Sequence, residues 1–348
     1  MTLVQTTPQP EALDRLWFTR CPVPTASGIA YKLGWLQEEF ARDGLPIDTL
    51  QEARQLGHHH YDHLLPGLFR EGGNLPALAA RAAGAPSRLV GLTWIEEWQT
   101  LLVRPDSNIR RPEDLRGKRL ALPAWGRDRP GSIARAMSLH GYKGALASVG
   151  LTFDDVHLVE VALLDQQVAS TPQLGLQRLW SGLDYLARGE VDAVYVKGAA
   201  AADAARRLGL VVGIDLDVLP DPRHRINNGT PRPITVHQSL LDEHFDLVAR
   251  FLAQTLRAAN WAVGNREALN AILEDETHAG SQGVAEAYRG DFHATLAPDL
   301  SARRLAFLDT QKAFLNLHGF LERDFDLADW VDHRPLQAAH DLLAQRRA

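Results

Sequence analysis

Apolar positions along this chain follow two periods. Ile29, Leu33, Leu36 and Phe40 recur at spacings of four, three and four, which predicts an amphipathic helix over about 25–42. Gly44 fits its stop. Short apolar runs at 16–19, 45–50, 88–93, 100–103, 119–122, 156–161, 193–196 and 233–236 read as strands. Between them, Pro130-Gly131-Ser132 opens a helix reaching about His140, and another is expected over about 176–187. Beyond 236 the pattern is almost wholly helical, over 245–263, 266–274, 285–288, 302–319 and from 335 onward. Strands alternating with helices predict an α/β fold with a helical C-terminal region. Residues 1–13, polar and proline-containing, read as a flexible tail.

Two stretches rich in Pro, Asp, Asn and Arg, at 103–108 and 215–232, flank a central α/β block. A chain that leaves one lobe, builds a second and returns has this pattern. The expected arrangement is one lobe from 14–104 and 226–348, a second from 105–225, two crossings and a central cleft. Two domains in series is the alternative.

Composition narrows the chemistry. A single cysteine excludes an intrachain disulfide and any cysteine-built zinc or iron–sulfur site. A net charge of -6 argues against a nucleic-acid partner, which clustered Lys and Arg would signal. No apolar run approaches the roughly 18 residues of a membrane span, so no membrane insertion is expected. The first ten residues have neither the basic end nor the apolar stretch of a secretion signal, which predicts a cytoplasmic protein, or a periplasmic one if a signal peptide is missing from this chain; a monomer is expected by default.

The lone cysteine lies in Arg20-Cys21-Pro22-Val23-Pro24, between a strand and the helix beginning near Thr25. Arg20 and the helix start would each favour its thiolate, and the prolines would stiffen the loop. The bland alternative for Cys21 is a small core hydrophobe. A second constellation runs from His58-His59-His60-Tyr61-Asp62-His63 to Arg70-Glu71-Gly72-Gly73-Asn74. The histidines suggest metal, with His60 and His63 on one helical face beside Asp62, but no second cluster supplies further ligands, so none is expected. The Gly-Gly run would point the N–H groups of Gly72, Gly73 and Asn74 outward as an anion nest, with Arg70 as a bidentate partner. Trp125, Arg127 and Arg129 precede Ser132, and either the two arginines and the helix start hold an anion or Ser132 simply caps the helix. Trp94 and Trp98 would either wall an aromatic pocket or belong to the core.

Cys21-Pro22-Val23-Pro24, with a histidine ten residues before Arg70-Glu71-Gly72-Gly73-Asn74-Leu75-Pro76, resembles the 2'-hydroxybiphenyl-2-sulfinate desulfinase family. Asp114-Leu115-Arg116-Gly117 and Gly189-Glu190-Val191-Asp192-Ala193 are pieces shared with sulfonate, nitrate and taurine solute-binding proteins. The resemblance implies a type 2 periplasmic binding protein-like fold and a cofactor-free desulfinase releasing sulfite from an organic, aromatic sulfinate. It implies Cys21 as nucleophile or proton donor and His60 as its tuning base, with His58 the alternative histidine. Arg70, Gly72 and Gly73 would bind the sulfinate, and Trp94 and Trp125 the organic body. Ile133 and Ala134 stand where relatives place an aromatic ring, so the body-lining surface differs. The rival reading is a solute-binding protein for sulfonates or other small anions, working with a transporter permease and having no use for Cys21.

Overall fold

The computed structural model describes residues 13–163 and 180–346. Most of the expected tail, and residues 176–179 of the helix expected before 187, lie outside the described residues. The described part of that helix is Leu183–Ala187.

Two groups of strands form the centre of the molecule, the first a five-stranded sheet and the second a three-stranded and a two-stranded sheet. The first comprises β1 (Leu16–Arg20), β2 (Ile47–Thr49), β3 (Leu68–Glu71), β4 (Ser87–Thr93) and a late strand, in the order β2, β1, β3, late strand, β4. The second is built from β5 (Gln99–Val103), β6 (Arg119–Pro123), β7 (His157–Val161), β8 (Val194–Lys197) and β9 (Val211–Asp215). β5 lies between β8 and β9, and β6 pairs with β7. A parallel bridge from Leu120 to Ala193 joins the two parts. The late strand, β10 (Arg232–His237), returns antiparallel between β3 and β4.

This pairing corrects one expected boundary. β5 belongs to the second group, so the first crossing runs through 94–98 rather than at 104. The return crossing lies between β9 and β10, where the Pro- and Asp-rich stretch was found. The long helix expected over 25–42 is two helices, Ala26–Lys32 and Trp35–Ala41. Gly34, at φ 77°, breaks them while the apolar spacing continues. β3 escaped the pattern because two of its four residues are the charged Arg70 and Glu71, both buried.

The first lobe is anchored by aromatic packing. Helix Phe245–Gly264 carries Phe251, which stacks on Phe69 of β3 at 4.1 Å and lies 5.8 Å from Phe18 of β1. All three rings are fully buried, so the two strands that lead into the cleft rest on one stack. In the second lobe, Tyr142 of helix Ile133–Ala147 donates to Ala121 O at 2.6 Å and accepts from Tyr195 N at 3.1 Å. Asn227, on the return crossing, ties the lobes together. Its side-chain amide donates to Met137 O and to the Tyr195 hydroxyl, and its backbone carbonyl accepts from Asn74 Nδ2.

Candidate active site

β1 and β3 are parallel neighbours with Thr19 opposite Arg70 and Arg20 opposite Glu71. Their carboxyl ends therefore emerge side by side, at the edge where open α/β sheets bind ligands. Cys21 follows β1 and keeps the ladder for one more step, its N–H donating to Glu71 O at 3.2 Å. Gly72 and Gly73 follow β3, and Gly73 precedes helix Asn74–Ala82. Gly73 N–H donates to Cys21 Sγ at 3.4 Å.

The other groups expected to act on Cys21 are engaged elsewhere. Arg20 is held by Glu276, with Nε at 3.0 Å and Nη2 at 2.5 Å from its carboxylate oxygens. The first turn of helix Ala26–Lys32 gives Ser27 N–H to Glu71 and Gly28 N–H to Thr25 Oγ1. Of the expected nest, Gly72 N–H donates to Pro233 O and Asn74 N–H to Asn228 O, so Gly73 alone faces the sulfur. Alternation along a strand sends Arg20 and Cys21 to opposite faces, which the one-dimensional spacing conceals.

Arg70 is fully buried. Its Nε donates to His60 O at 2.7 Å, and its Nη2 donates to Gly73 O at 3.0 Å and faces His60 Nε2 at 3.3 Å. Arg70 therefore grips the loop through Nε and Nη2, and Nη1 is the nitrogen without a partner among the described residues. Burial pulls the guanidinium pKa down to about 10, which leaves it charged at neutral pH.

His60 faces the same guanidinium, whereas His58 is exposed. Because arginine only donates, His60 Nε2 accepts and the proton sits on Nδ1, directed to Thr19 Oγ1 at 3.0 Å. Burial first, then Arg70, His63 and Arg232, holds His60 well below the ordinary histidine range, so the ring is neutral. Among the described residues no hydrogen bond joins His60 to Cys21. The base expected to touch the thiol instead orients Arg70.

Cys21 lines a cavity of about 130 Å³ between the lobes. Met137, Trp180 and Val23 give it an apolar wall, and Glu97, Lys197 and Arg232 a charged one. These polar residues were not singled out from sequence. Lys197 closes the buried strand β8 and Arg232 opens β10, and a charge at the end of an apolar strand was the only signal. Trp94 does not line this cavity; it is buried against Phe307, its Nε1 donating to Glu96. Trp125 packs on Phe320 between Arg129 and Arg135, also off the cavity wall. Trp98 is core. Ser132 makes no side-chain cap; its hydroxyl ties the loop by accepting from Gly126 N–H and donating to Asp128 O.

The histidine run also folds differently from its reading. His63, at φ 58°, turns inward and is buried, so it shares no metal face with His60. Ligand atoms of His58, His59 and Asp62 gather within 4.8 Å at the surface instead, and His59 Nδ1 already lies 2.9 Å from Asp62. Among the described residues no helix is long and apolar enough to cross a membrane.

Comparison with known proteins adds four findings. Residues 74–268 match the family model described as NMT1/THI5 like. Over an alignment 351 positions long, the chain is 27% identical to a 2'-hydroxybiphenyl-2-sulfinate desulfinase of Rhodococcus erythropolis, covering 91% of each chain. Among solved structures, a cysteine-to-serine mutant of DSZB in complex with biphenyl-2-sulfinic acid superposes with a TM-score of 0.72 at 24% identity, over 95% of this chain and 99% of that one. The periplasmic aliphatic sulphonate binding protein SsuA from Escherichia coli matches with a TM-score of 0.67 at 15% identity, over 92% of both chains. The fold is that of the periplasmic binding proteins: two α/β lobes about a cleft, with a helical C-terminal region.

Proposed function

The chain belongs to the NMT1/THI5-like family, and from that membership and the site we propose that it is a desulfinase cleaving the C–S bond of an organic sulfinate. The observation that carries this reading is Cys21 Sγ on the cavity wall, receiving the Gly73 N–H at 3.4 Å while Arg70 holds that loop from behind. The similarity to named desulfinases over nine-tenths of both chains supports it.

The overall reaction takes R–SO2⁻ and water to R–H and HSO3⁻. In the proton-donor route, the Cys21 thiol protonates the carbon bearing sulfur, the C–S electron pair forms the new C–H bond, and SO2 departs. Water then hydrates SO2 to bisulfite, and the released proton restores the thiol. In the nucleophilic route, the thiolate attacks sulfur, the departing carbanion takes a proton, and water releases bisulfite from the sulfur adduct. Gly73 N–H and the buried Arg70 charge stabilise the thiolate that each route forms or uses. A neutral His60 serves as a positioning residue, holding Arg70 through its backbone oxygen and Nε2.

The test is incubation with aromatic and aliphatic sulfinates, assaying sulfite, with Cys21→Ser as control. Sulfite from at least one member, lost by a factor of about 10³ or more in the variant, is expected. Ligand binding without sulfite from any member would replace this reading with a solute-binding role, and full activity in Cys21→Ser would remove the cysteine from the chemistry.

A further inference from the structure

On the cavity wall shared with Cys21, two buried cations stand together with too few acceptors. Arg232 is 3% exposed, and its Nε and Nη1 find no hydrogen-bond partner among the described residues. Lys197 is 5% exposed; its Nζ lies 3.1 Å from a Glu97 oxygen, but off the direction of a hydrogen bond. A Cβ built on Gly229 would fall 2.7 Å from both Arg232 Nη2 and Lys197 Nζ, so the two cationic groups flank one backbone position. Among the described residues Glu97 is ion-paired with Lys197 alone, its other oxygen accepting from the Tyr288 hydroxyl at 2.9 Å, and no carboxylate is ion-paired with Arg232. The nearby buried acid, Glu71, is already bonded by Ser27 and Thr93. Buried cations side by side with unmet donors repel each other and call for an anion.

The fold explains why they meet. β10 runs antiparallel between β3 and β4, so its first residue, Arg232, falls at the carboxyl ends of those strands. β8 ends at Lys197 on the facing lobe. The pair therefore spans the cleft, and Met137, Trp180 and Val23 supply apolar surface on the same cavity.

From this arrangement we infer that the Arg232–Lys197 pair is a second anion subsite, and that the substrate is a compact organosulfinate carrying a carboxylate besides its sulfinate group. The inference rests on the desulfinase reading for the first group, with the sulfinate at Cys21 and Gly73 and the carboxylate at the cation pair. The cavity volume of about 130 Å³ suits a single ring or a short chain between the two poles.

Sulfite release is measured from 2-, 3- and 4-sulfinobenzoate against benzenesulfinate. Dissociation constants for phthalate against benzoate are measured by calorimetry on Cys21→Ser protein. A preference of about tenfold or more for at least one carboxylated member is expected in each assay, the scale of a charge-assisted hydrogen bond. Arg232→Met and Lys197→Met should each bring that ratio toward one, with Arg232→Lys retaining part of it. A ratio near one in the unmodified site overturns the inference. So does an equal weakening of carboxylated and uncarboxylated ligands by the methionine variants, which would place the sulfinate itself on the pair. If no sulfinate yields sulfite while phthalate keeps its preference, the subsite stands and the desulfinase reading falls. Because the ratio in the unmodified site is itself decisive, a variant that fails to fold leaves the test intact.

Discussion

Gly72 shows how tightly the site is drawn. A Cβ there would sit 2.7 Å from Arg70 Cζ, because the guanidinium folds back over the loop it secures. Gly72→Ala is expected to displace Arg70 and lower kcat/KM for the best sulfinate by about tenfold or more, on the scale of losing an electrostatic contact. Wild-type kcat/KM in that variant would show that Arg70 need not lie where it does. His60 makes a second residue-scale prediction. Its imidazole is already neutral, so the pH profile of kcat/KM should have no limb near 6.5 that vanishes in His60→Gln. The variant should lower the rate by loosening Arg70, and disappearance of such a limb would return His60 to a proton-transfer role. The sequence singled out Cys21, His60, Arg70 and Gly73 as candidates through the short motifs that carry the family resemblance. It did not carry Arg232 or Lys197, which stand more than a hundred residues from Cys21.

At the scale of elements, the cleft edge depends on what lies beneath β1 and β3. Phe251 of helix Phe245–Gly264 supports Phe18 and Phe69 from one side. Phe251→Ala should cost about 3–5 kcal/mol of stability in denaturant titration. It should also lower activity in the folded protein, because the strand ends that carry Cys21 and Arg70 lose their common support. Tyr142→Phe, in the second lobe, removes one hydroxyl that both donates to Ala121 O and accepts from Tyr195 N. It should cost about 1–3 kcal/mol with a smaller effect on activity, and the reverse ranking in activity would contradict the support role. Strand and helix periods were legible where apolar residues repeat, as in β4, β6 and helix Phe245–Gly264. They failed at β3, whose charges are buried, and at β9, where Val211 and Val212 are exposed.

For the whole molecule, buried neutral histidines set an acid limit. His60 is held well below the ordinary range, and His63 and His140 are each lowered to about 3, with burial the largest cause in all three. As pH falls below about 6.5, the unfolded chain binds protons that the folded rings refuse, so stability is lost toward acid. Each such group contributes a slope of about 1.4 kcal/mol per pH unit. Asp217, raised to about 6 chiefly by burial, works in the opposite sense and offsets part of this. His140, stacked on Phe314 away from the cleft, isolates one contribution. In His140→Gln, the slope of unfolding free energy between pH 6 and 4 should be shallower by about 1.4 kcal/mol per unit, and an unchanged slope would mean the ring protonates in the folded state.

By itself, the sequence determined an α/β chain with a helical end, and short motifs that hold a cysteine, a histidine, an arginine and a glycine. Those follow from local periods and short spacings, which a one-dimensional pattern records. Only the tertiary structure decided that β5 belongs to the second group of strands, that Gly73 rather than Arg20 serves the sulfur, and that Trp94 and Trp125 pack off the cavity. It also set Arg232 beside Lys197. The physical reason is the same in each case. Which face a side chain takes, and which distant charge it meets there, is fixed by sheet pairing and lobe packing, and neither leaves a mark in the order of residues.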